Sequence, residues 1–206
     1  MKLDTFDLIV NKGREVANGY VEMLHNTEYS LLMRNNRNVD CDAIVRVDGV
    51  EVGTWRINAH QSILIERPAS IDRKFTFYRL GTSESYQAGL NRDDNLGLIS
   101  VEFIPAKEVE RGLVFYGEGS PSTYGSKGVE RTYGNPYNKS SACETKGYNA
   151  GGTGLGDHSD QSFGQADSID RDYSKRVTIN LRLCCVDKPT IVSLRGISNP
   201  VPPPIF

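Results

Sequence analysis

Apolar and polar positions alternate regularly in a stretch that runs from Cys41 to Phe77. Every second residue from Cys41 to Val47 is apolar, which is the period of a strand with one buried face. Asp48-Gly49 follows at once, and this pair favours a type I′ hairpin turn because that turn needs a positive φ at both central residues. The return strand is predicted over Val50 to Ile57. Two further alternating runs, Gln61 to Glu66 and Arg73 to Tyr78, complete a predicted β meander.

Further runs on both sides of this meander predict more strands. Gly19 to Leu24 and Glu28 to Arg34 are predicted to form a pair of strands joined by a polar turn. Leu96 to Ile104 predicts another strand, and the polar stretch before it is predicted to contain a helical turn around Ser83 to Ala88. The longest clean alternation runs from Val177 to Cys185. Because this segment is so distant from the meander, we expect it to close the sandwich by non-local pairing.

The composition changes between Gly112 and Asp172, where more than half of the chain's 20 glycines lie. Aliphatic runs are almost missing there, so the stretch cannot bury enough apolar surface to form a core of its own. Loops of this length in compact domains are usually functional or disordered. We expect residues 106–172 to form one long excursion over the sandwich or over a partner. Within it, Gly152 to Gly156 superficially resembles a phosphate-binding loop, but it follows no predicted strand and opens no helix, as that mechanism requires. We therefore predict a tight glycine loop there.

The predicted fold is all-β: one antiparallel, jelly-roll-like β-sandwich at residues 18–195, between two extended arms. The N-terminal arm would be residues 1–17, in which Phe6 to Val10 is either an edge strand or a docking segment. The C-terminal arm, residues 196–206, ends in NPVPPPIF, and its consecutive prolines favour polyproline II and exclude helix. Its last two residues are expected either to anchor on a neighbouring molecule or to belong to a frayed tail.

Composition and charge exclude several classes of partner. The chain has 206 residues, 38% of them hydrophobic, and a formal net charge of −2. That length is enough for one self-sufficient core, and the charge provides no basic footprint for nucleic acid or for an anionic membrane. No segment approaches the roughly 20 apolar residues of a membrane span, and the N-terminus lacks the pattern of a signal peptide. The four cysteines form no CxxC pair, so we expect free thiols in a reducing compartment.

Sequence motifs that would carry chemistry are missing. The chain has no GxSxG elbow, Walker A loop, HExxH helix or EF-hand ligand run. Of its three histidines, His25 and His60 are predicted to be ordinary loop residues. His158 lies between Asp157 and Asp160, and a metal or a hydrolase centre there is the weaker alternative because no distant ligand accompanies it. We therefore expect no enzymatic activity, no catalytic residue, no metal and no cofactor.

Tyrosines of the long excursion are the predicted partner-binding residues. Tyrosine contributes a large contact area at low entropic cost, which suits a recognition surface. The alternative is that the same side chains hold the loop onto its own domain. Trp55, the single tryptophan, lies on an alternating strand and is expected in the core rather than as a sugar platform. The predicted contact residues are Tyr124, Tyr133, Tyr137 and Tyr148 of the excursion, with Ile205 and Phe206 of the tail.

Several blocks of the sequence carry a resemblance to a known group of proteins. They are CDAIVRVDGVEVGTWRI, SILIERP, RKFTFYR and NLGLISVEFIP, followed by GGTGLGDHSDQSF and by VTINLRL before the Pro-rich end. In these blocks the chain resembles a group of β-sandwich proteins from large DNA viruses and tailed phages. Some phage members of such groups are capsid decoration (cement) proteins, which sit on the outer shell and clamp neighbouring capsomers. The likeness covers about two thirds of the chain, leaves out residues 117–141 and the N-terminal arm, and carries over no active-site residue.

The sequence therefore predicts a virion structural protein that is made in the host cytoplasm and works by covering surface. Following the resemblance, its partner would be the major capsid protein, and it would self-associate as a dimer or trimer on the capsid lattice. The alternative is a glycan- or receptor-binding module on the virion surface, with the loop tyrosines stacking on a sugar. Neither function involves nucleic acid or membrane.

Overall fold

The computed structural model describes residues 1–108 and 148–186, and strands dominate both ranges. The strands are β1 (Lys2–Leu3), β2 (Phe6–Val10), β3 (Arg14–Glu15), β4 (Tyr20–Met23), β5 (Thr27–Glu28), β6 (Leu31–Asn35), β7 (Cys41–Val47), β8 (Val50–Ile57), β9 (Ser62–Ile65), β10 (Arg73–Arg79), β11 (Leu98–Pro105), β12 (Tyr148–Asn149), β13 (Gly151–His158) and β14 (Val177–Val186). The described ranges also contain one α-helix, α1 (Ser83–Gln87), which confirms the predicted helical turn, and two 3-10 turns, at Ala17–Gly19 and Tyr173–Lys175. The fold is all-β and sandwich-like, as predicted.

The described strands form three sheets. A four-stranded sheet has the order β1-β2-β6-β9, a three-stranded sheet has the order β13-β10-β5, and the largest sheet has the order β3-β4-β14-β11-β7-β8 with β12 also paired to β14. Neighbouring strands are antiparallel except β4 and β14, which pair in parallel. Strand β14 thus lies between β4 and β11, which confirms that the alternation at Val177 to Cys185 closes the structure by non-local pairing.

The hairpin of β7 and β8 confirms the turn prediction. Asp48 has φ 50° and Gly49 has φ 79°, the positive values that the turn requires. The predicted inward face of β7 is buried throughout, from Cys41 to Val47. The other two predicted strands are confirmed as β9 and β10, but their place in a meander is wrong, because β9 pairs with β6 and β10 pairs with β5 and β13. Alternation decides which face of a strand is buried, but it does not decide which strand lies beside it.

Two further pairing or boundary predictions are wrong for the same kind of reason. The runs at Gly19 to Leu24 and Glu28 to Arg34 do form strands, but β4 joins the largest sheet and β6 joins the four-stranded sheet. The predicted N-terminal arm is part of the fold, and of the two alternatives for Phe6 to Val10 the strand is confirmed, because β2 pairs with β6 and its Phe6 and Leu8 are fully buried. The ring of Phe6 stacks on Phe103 of β11 at 4.6 Å, so the first residues of the chain contribute to the core.

The glycine-rich stretch at Gly152 to Gly156 was predicted to be a tight loop, and this is wrong. These residues belong to β13, which pairs along most of its length with β10. Gly152, Gly154 and Gly156 share the outer face of β13, and each is covered by side chains of neighbouring segments. The strand therefore has few apolar side chains of its own. Residues 109–147 of the long excursion, residues 187–195 of the predicted sandwich and the whole C-terminal arm, residues 196–206, lie outside the described residues.

Residues 159–172 return from β13 to β14 across the sheets and are held by hydrogen bonds of three arginines, of which Arg67 is buried. Arg67 is 6% exposed, donates from Nε to the Gln161 carbonyl at 2.7 Å and lies over the Phe163 ring at 4.5 Å. Asp42 of β7 accepts hydrogen bonds from Arg56 Nε at 2.7 Å and from Arg171 Nε at 2.8 Å. These contacts stabilise a segment without regular structure, because charged hydrogen bonds in a buried setting are stronger than neutral ones at the surface.

Three cysteines in the described ranges, Cys41, Cys184 and Cys185, are buried. Burial raises the pKa of the Cys41 thiol to about 12, so it is protonated at neutral pH and behaves as a small apolar side chain. Within the same ranges, α1 is too short to cross a membrane, and no other helix has the length and apolar character that a span needs.

Candidate functional site

A small polar pocket lies on the outer face of the three-stranded sheet, where β5, β10 and β13 meet. Its volume is about 270 Å³. We call it the small-sheet pocket, and its lining residues are Asn26, Glu28, Thr76, Tyr78, Gly156 and Asp157.

Strand pairing and the glycines of β13 together create this pocket. Thr76 lies directly opposite Glu28 on one side and Gly154 on the other. Side chains that are directly opposite in an antiparallel pair lie on the same face, so the glycines leave Thr76 and Glu28 without a bulky neighbour on the β13 side. A Cβ on Gly156 would lie 2.0 Å from Thr76 Oγ1, so only glycine fits there. Further along the same glycine row, the Tyr78 ring and Ala88 cover Gly154.

The polar groups of the small-sheet pocket are mostly hydrogen-bond acceptors. Glu28 and Asp157 supply carboxylates, and Lys74 Nζ lies 3.6 Å from Glu28 Oε2. Thr76 is 2% exposed, and its Oγ1 is one of three buried side-chain polar atoms without a hydrogen-bond partner among the described residues. An unsatisfied buried hydroxyl costs about 1–3 kcal/mol of stability. In a native structure such an atom needs an explanation.

A larger and more apolar pocket of about 490 Å³ adjoins the first and shares Asn26 with it. His25 lies in its wall: Nδ1 accepts a hydrogen bond from the Arg79 backbone N–H at 3.1 Å, and Nε2 lies 3.8 Å from Glu84 Oε2. Cys185 also contributes to the wall but is 1% exposed. Leu24, Thr82 and Val186 complete the lining.

A second surface of interest is the outer face of the four-stranded sheet. Ile9 of β2 lies directly opposite Leu32 of β6, which lies directly opposite Leu64 of β9. Ile9 is 41% exposed and Leu64 is 43% exposed. The neighbouring row across the same strands is polar, with Asp7, Arg34 and Ser62 in register. We call these two rows together the outer sheet face.

Tyr148, the one described member of the predicted partner-binding set, lies in β12. Its hydroxyl donates a hydrogen bond to the Glu22 carboxylate, which also pairs with Arg14. These bonds, Tyr148 first and Arg14 second, hold the pKa of Glu22 below its ordinary value. The phenol therefore fixes β12 to its own domain, which is the alternative considered for the excursion tyrosines. Tyr124, Tyr133, Tyr137, Ile205 and Phe206 lie outside the described residues.

His158 lies at the exposed end of β13. Its Nε2 is 3.4 Å from Asp160 Oδ1, and the two side chains are 71% and 101% exposed. Among residues 1–108 and 148–186, no three His, Cys, Asp or Glu side chains converge in a metal-binding arrangement. Trp55 is in the core as predicted, 5% exposed and edge-on to Phe163 at 5.5 Å between ring centroids.

Sequence reasoning missed the small-sheet pocket because its residues come from three segments that are distant along the chain. One signal was present: glycine at every second position of Gly152 to Gly156. That period is the period of a strand, and it indicates that something bulky or a ligand lies against the glycine face. No protein-family model, no curated protein and no solved structure matches the chain.

Proposed function

We propose that this chain is a non-enzymatic virion structural protein that decorates a capsid and attaches through its outer sheet face. The class of partner, a major capsid protein, comes from the resemblance of the sequence blocks to viral and phage β-sandwich proteins. The attachment surface comes from the apolar row of Ile9, Leu32 and Leu64.

The apolar row carries this proposal. In an antiparallel sheet with one face on the core, the other face is normally polar. Single exposed apolar side chains are ordinary, but here three large aliphatic residues lie side by side across three strands. Fully burying a side chain of this kind stabilises by about 1.5–3 kcal/mol. A partner that covers the row would recover part of that energy for each of the three residues.

The polar row of Asp7, Arg34 and Ser62 would fix the orientation of a partner on the apolar row. Arg34 Nη1 lies 3.8 Å from Asp7 Oδ2, and Asp7 Oδ1 is buried without a hydrogen-bond partner among the described residues. An apolar centre flanked by charges is the usual composition of a protein interface. Charged groups at the edge of a contact mainly set orientation and specificity.

The face of the sheet is a better attachment surface than its β9 edge. The Gln161 side chain covers that edge: Nε2 donates to the Leu64 carbonyl at 2.7 Å and Oε1 accepts from the Glu66 N–H at 3.0 Å. Covered edges resist the addition of further strands. Repeated contacts around a lattice would therefore use side chains of the outer sheet face rather than a shared sheet.

The test begins with mass spectrometry of purified particles of the virus that encodes this chain. The purified protein is then sedimented with shells assembled from the major capsid protein. We expect the wild-type protein to sediment with shells and the variants Ile9→Asp and Leu64→Asp to lose at least about tenfold in affinity, because a carboxylate would be buried in the contact. Val50→Asp is the matched control, since Val50 is 64% exposed but lies on the β7–β8 hairpin.

Two outcomes would contradict the proposal. One is absence of the protein from purified particles together with no binding to shells. The other is binding to shells that Ile9→Asp and Leu64→Asp leave unchanged while Val50→Asp weakens it, because the outer sheet face would then not be the contact.

A further inference from the structure

We propose that the small-sheet pocket is a binding site for a single neutral sugar residue. This inference does not depend on attachment to a capsid. The pocket is a concave polar site, whereas the proposed attachment surface is an apolar sheet face. It also differs from the excursion tyrosines in location, since it is formed by β5, β10 and β13.

The shape of the pocket sets the size of the ligand. Its volume of about 270 Å³ lies just below the range of roughly 300–1,000 Å³ that holds drug-sized molecules. One pyranose ring is the corresponding size, and an oligosaccharide would have to extend into solvent. Gly156 allows Thr76 to lie against β13, because a Cβ at that position would be 2.0 Å from Thr76 Oγ1.

The buried hydroxyl of Thr76 is the observation that indicates a ligand. Thr76 is 98% buried, lines the pocket and has no hydrogen-bond partner for Oγ1 among the described residues. Its direct neighbour across the strand is Glu28, whose side chain is 31% exposed. A ligand hydroxyl that reaches Oγ1 would give it a partner and would lie beside the Glu28 carboxylate.

The chemistry of the lining selects a neutral polyol over the other small ligands. Glu28 and Asp157 accept hydrogen bonds, Asn26 both donates and accepts, and the half-buried Tyr78 ring offers an aromatic surface to C–H groups. Two carboxylates repel acidic sugars and phosphates. A divalent cation is disfavoured because Lys74 already pairs with Glu28 and brings positive charge to the site.

The test titrates the full-length, isotope-labelled protein with methyl glycosides of neutral hexoses and of N-acetylhexosamines, and with Ca²⁺ alone, while amide shifts are recorded. We expect at least one glycoside to shift resonances of β5, β10 and β13 with a Kd of about 1 mM. Thr76→Val should weaken this binding about tenfold, since it removes one hydrogen bond to the ligand. Asp157→Asn, at an exposed position, should weaken it without affecting folding.

Thr54→Val is the matched control, because Thr54 is exposed on β8, which belongs to a different sheet from the strands that line the pocket. Thermal unfolding separates a ligand role from a structural one. If the Thr76 hydroxyl serves a ligand, Thr76→Val keeps or raises the melting temperature while binding falls.

Three results would overturn the inference. They are no shift with any glycoside at about 10 mM, glycoside binding that both Thr76→Val and Asp157→Asn leave unchanged, and Ca²⁺ shifting the same resonances when glycosides do not. Failure here would leave shell binding by the outer sheet face untouched, so the two proposals fail separately.

Discussion

Asp48 should make the stability of this protein depend on pH in a direction unusual for an aspartate. Its carboxylate accepts the backbone N–H of Gly97 at 2.7 Å through Oδ1 and of Thr153 at 2.6 Å through Oδ2. The β7–β8 turn is thereby joined to the start of β11 and to β13. Burial raises the pKa of Asp48 from 3.8 to about 6, although the two N–H groups act in the opposite direction.

The sign follows from the raised pKa. The folded state binds the proton more tightly than the unfolded state, so stability is gained as pH falls through 6 and is complete below 3.8. Since one pKa unit is worth about 1.36 kcal/mol, the rise to about 6 corresponds to about 3 kcal/mol. About 2 kcal/mol of this develops between pH 8 and pH 4.

The assay is urea unfolding of the wild type and of Asp48→Asn at several pH values between 4 and 8. The asparagine side chain cannot ionise, and its NH₂ group would face one of the two backbone N–H donors, Gly97 or Thr153, at a cost of about 1–3 kcal/mol. We expect the wild type to gain about 2 kcal/mol over Asp48→Asn as the pH falls from 8 to 4. Carboxylates with lowered pKa values, such as Asp4 and Glu22, become protonated at acid pH and thereby destabilise the folded state. This effect is the same in both proteins, so it cancels in the difference between their unfolding free energies.

Asp167→Asn is the control for this series, because the Asp167 side chain is exposed and its carbonyl alone contacts Arg56. Its stability difference from the wild type should be flat across the same pH range. A flat difference for Asp48→Asn as well would refute the reasoning, since it would mean that the Asp48 carboxylate is hydrated and titrates normally.

Two further predictions concern folding contacts that urea unfolding can measure. Asp42→Ala should cost about 1.5–3 kcal/mol, because Arg56 and Arg171, whose side chains are 15% and 33% exposed, would lose a shared and nearly buried carboxylate partner; a loss below about 1 kcal/mol would contradict this, since both arginines would then find other partners. Gly97→Ala should cost at least about 3 kcal/mol, since φ is +74° and the new Cβ would lie 2.6 Å from a backbone carbonyl oxygen. Gly81→Ala is its matched control, with φ +86° and no atom within 4 Å, and should cost only about 1–2 kcal/mol; equal losses at the two positions would contradict the steric argument.

Local pattern was sufficient for the class of fold and for several elements. The alternation from Cys41 to Val47 predicted a strand with one buried face, and the Asp48-Gly49 pair predicted its turn, because both depend only on residues close in sequence. The same holds for the strands predicted at Leu96 to Ile104 and at Val177 to Cys185. The spacing of apolar residues in a strand is set within that segment and does not depend on the rest of the chain.

The partners of these strands, and with them the candidate sites, were decided only by the tertiary structure. The pairing of β4 with β14 joins residues more than 150 positions apart, and no local pattern encodes such a contact. Glycines at Gly152 to Gly156 form a strand because β10 supplies the side chains that cover it. The buried Thr76 hydroxyl and the apolar row on the outer sheet face likewise exist only once distant strands lie in register, since burial and alignment are properties of the packed chain.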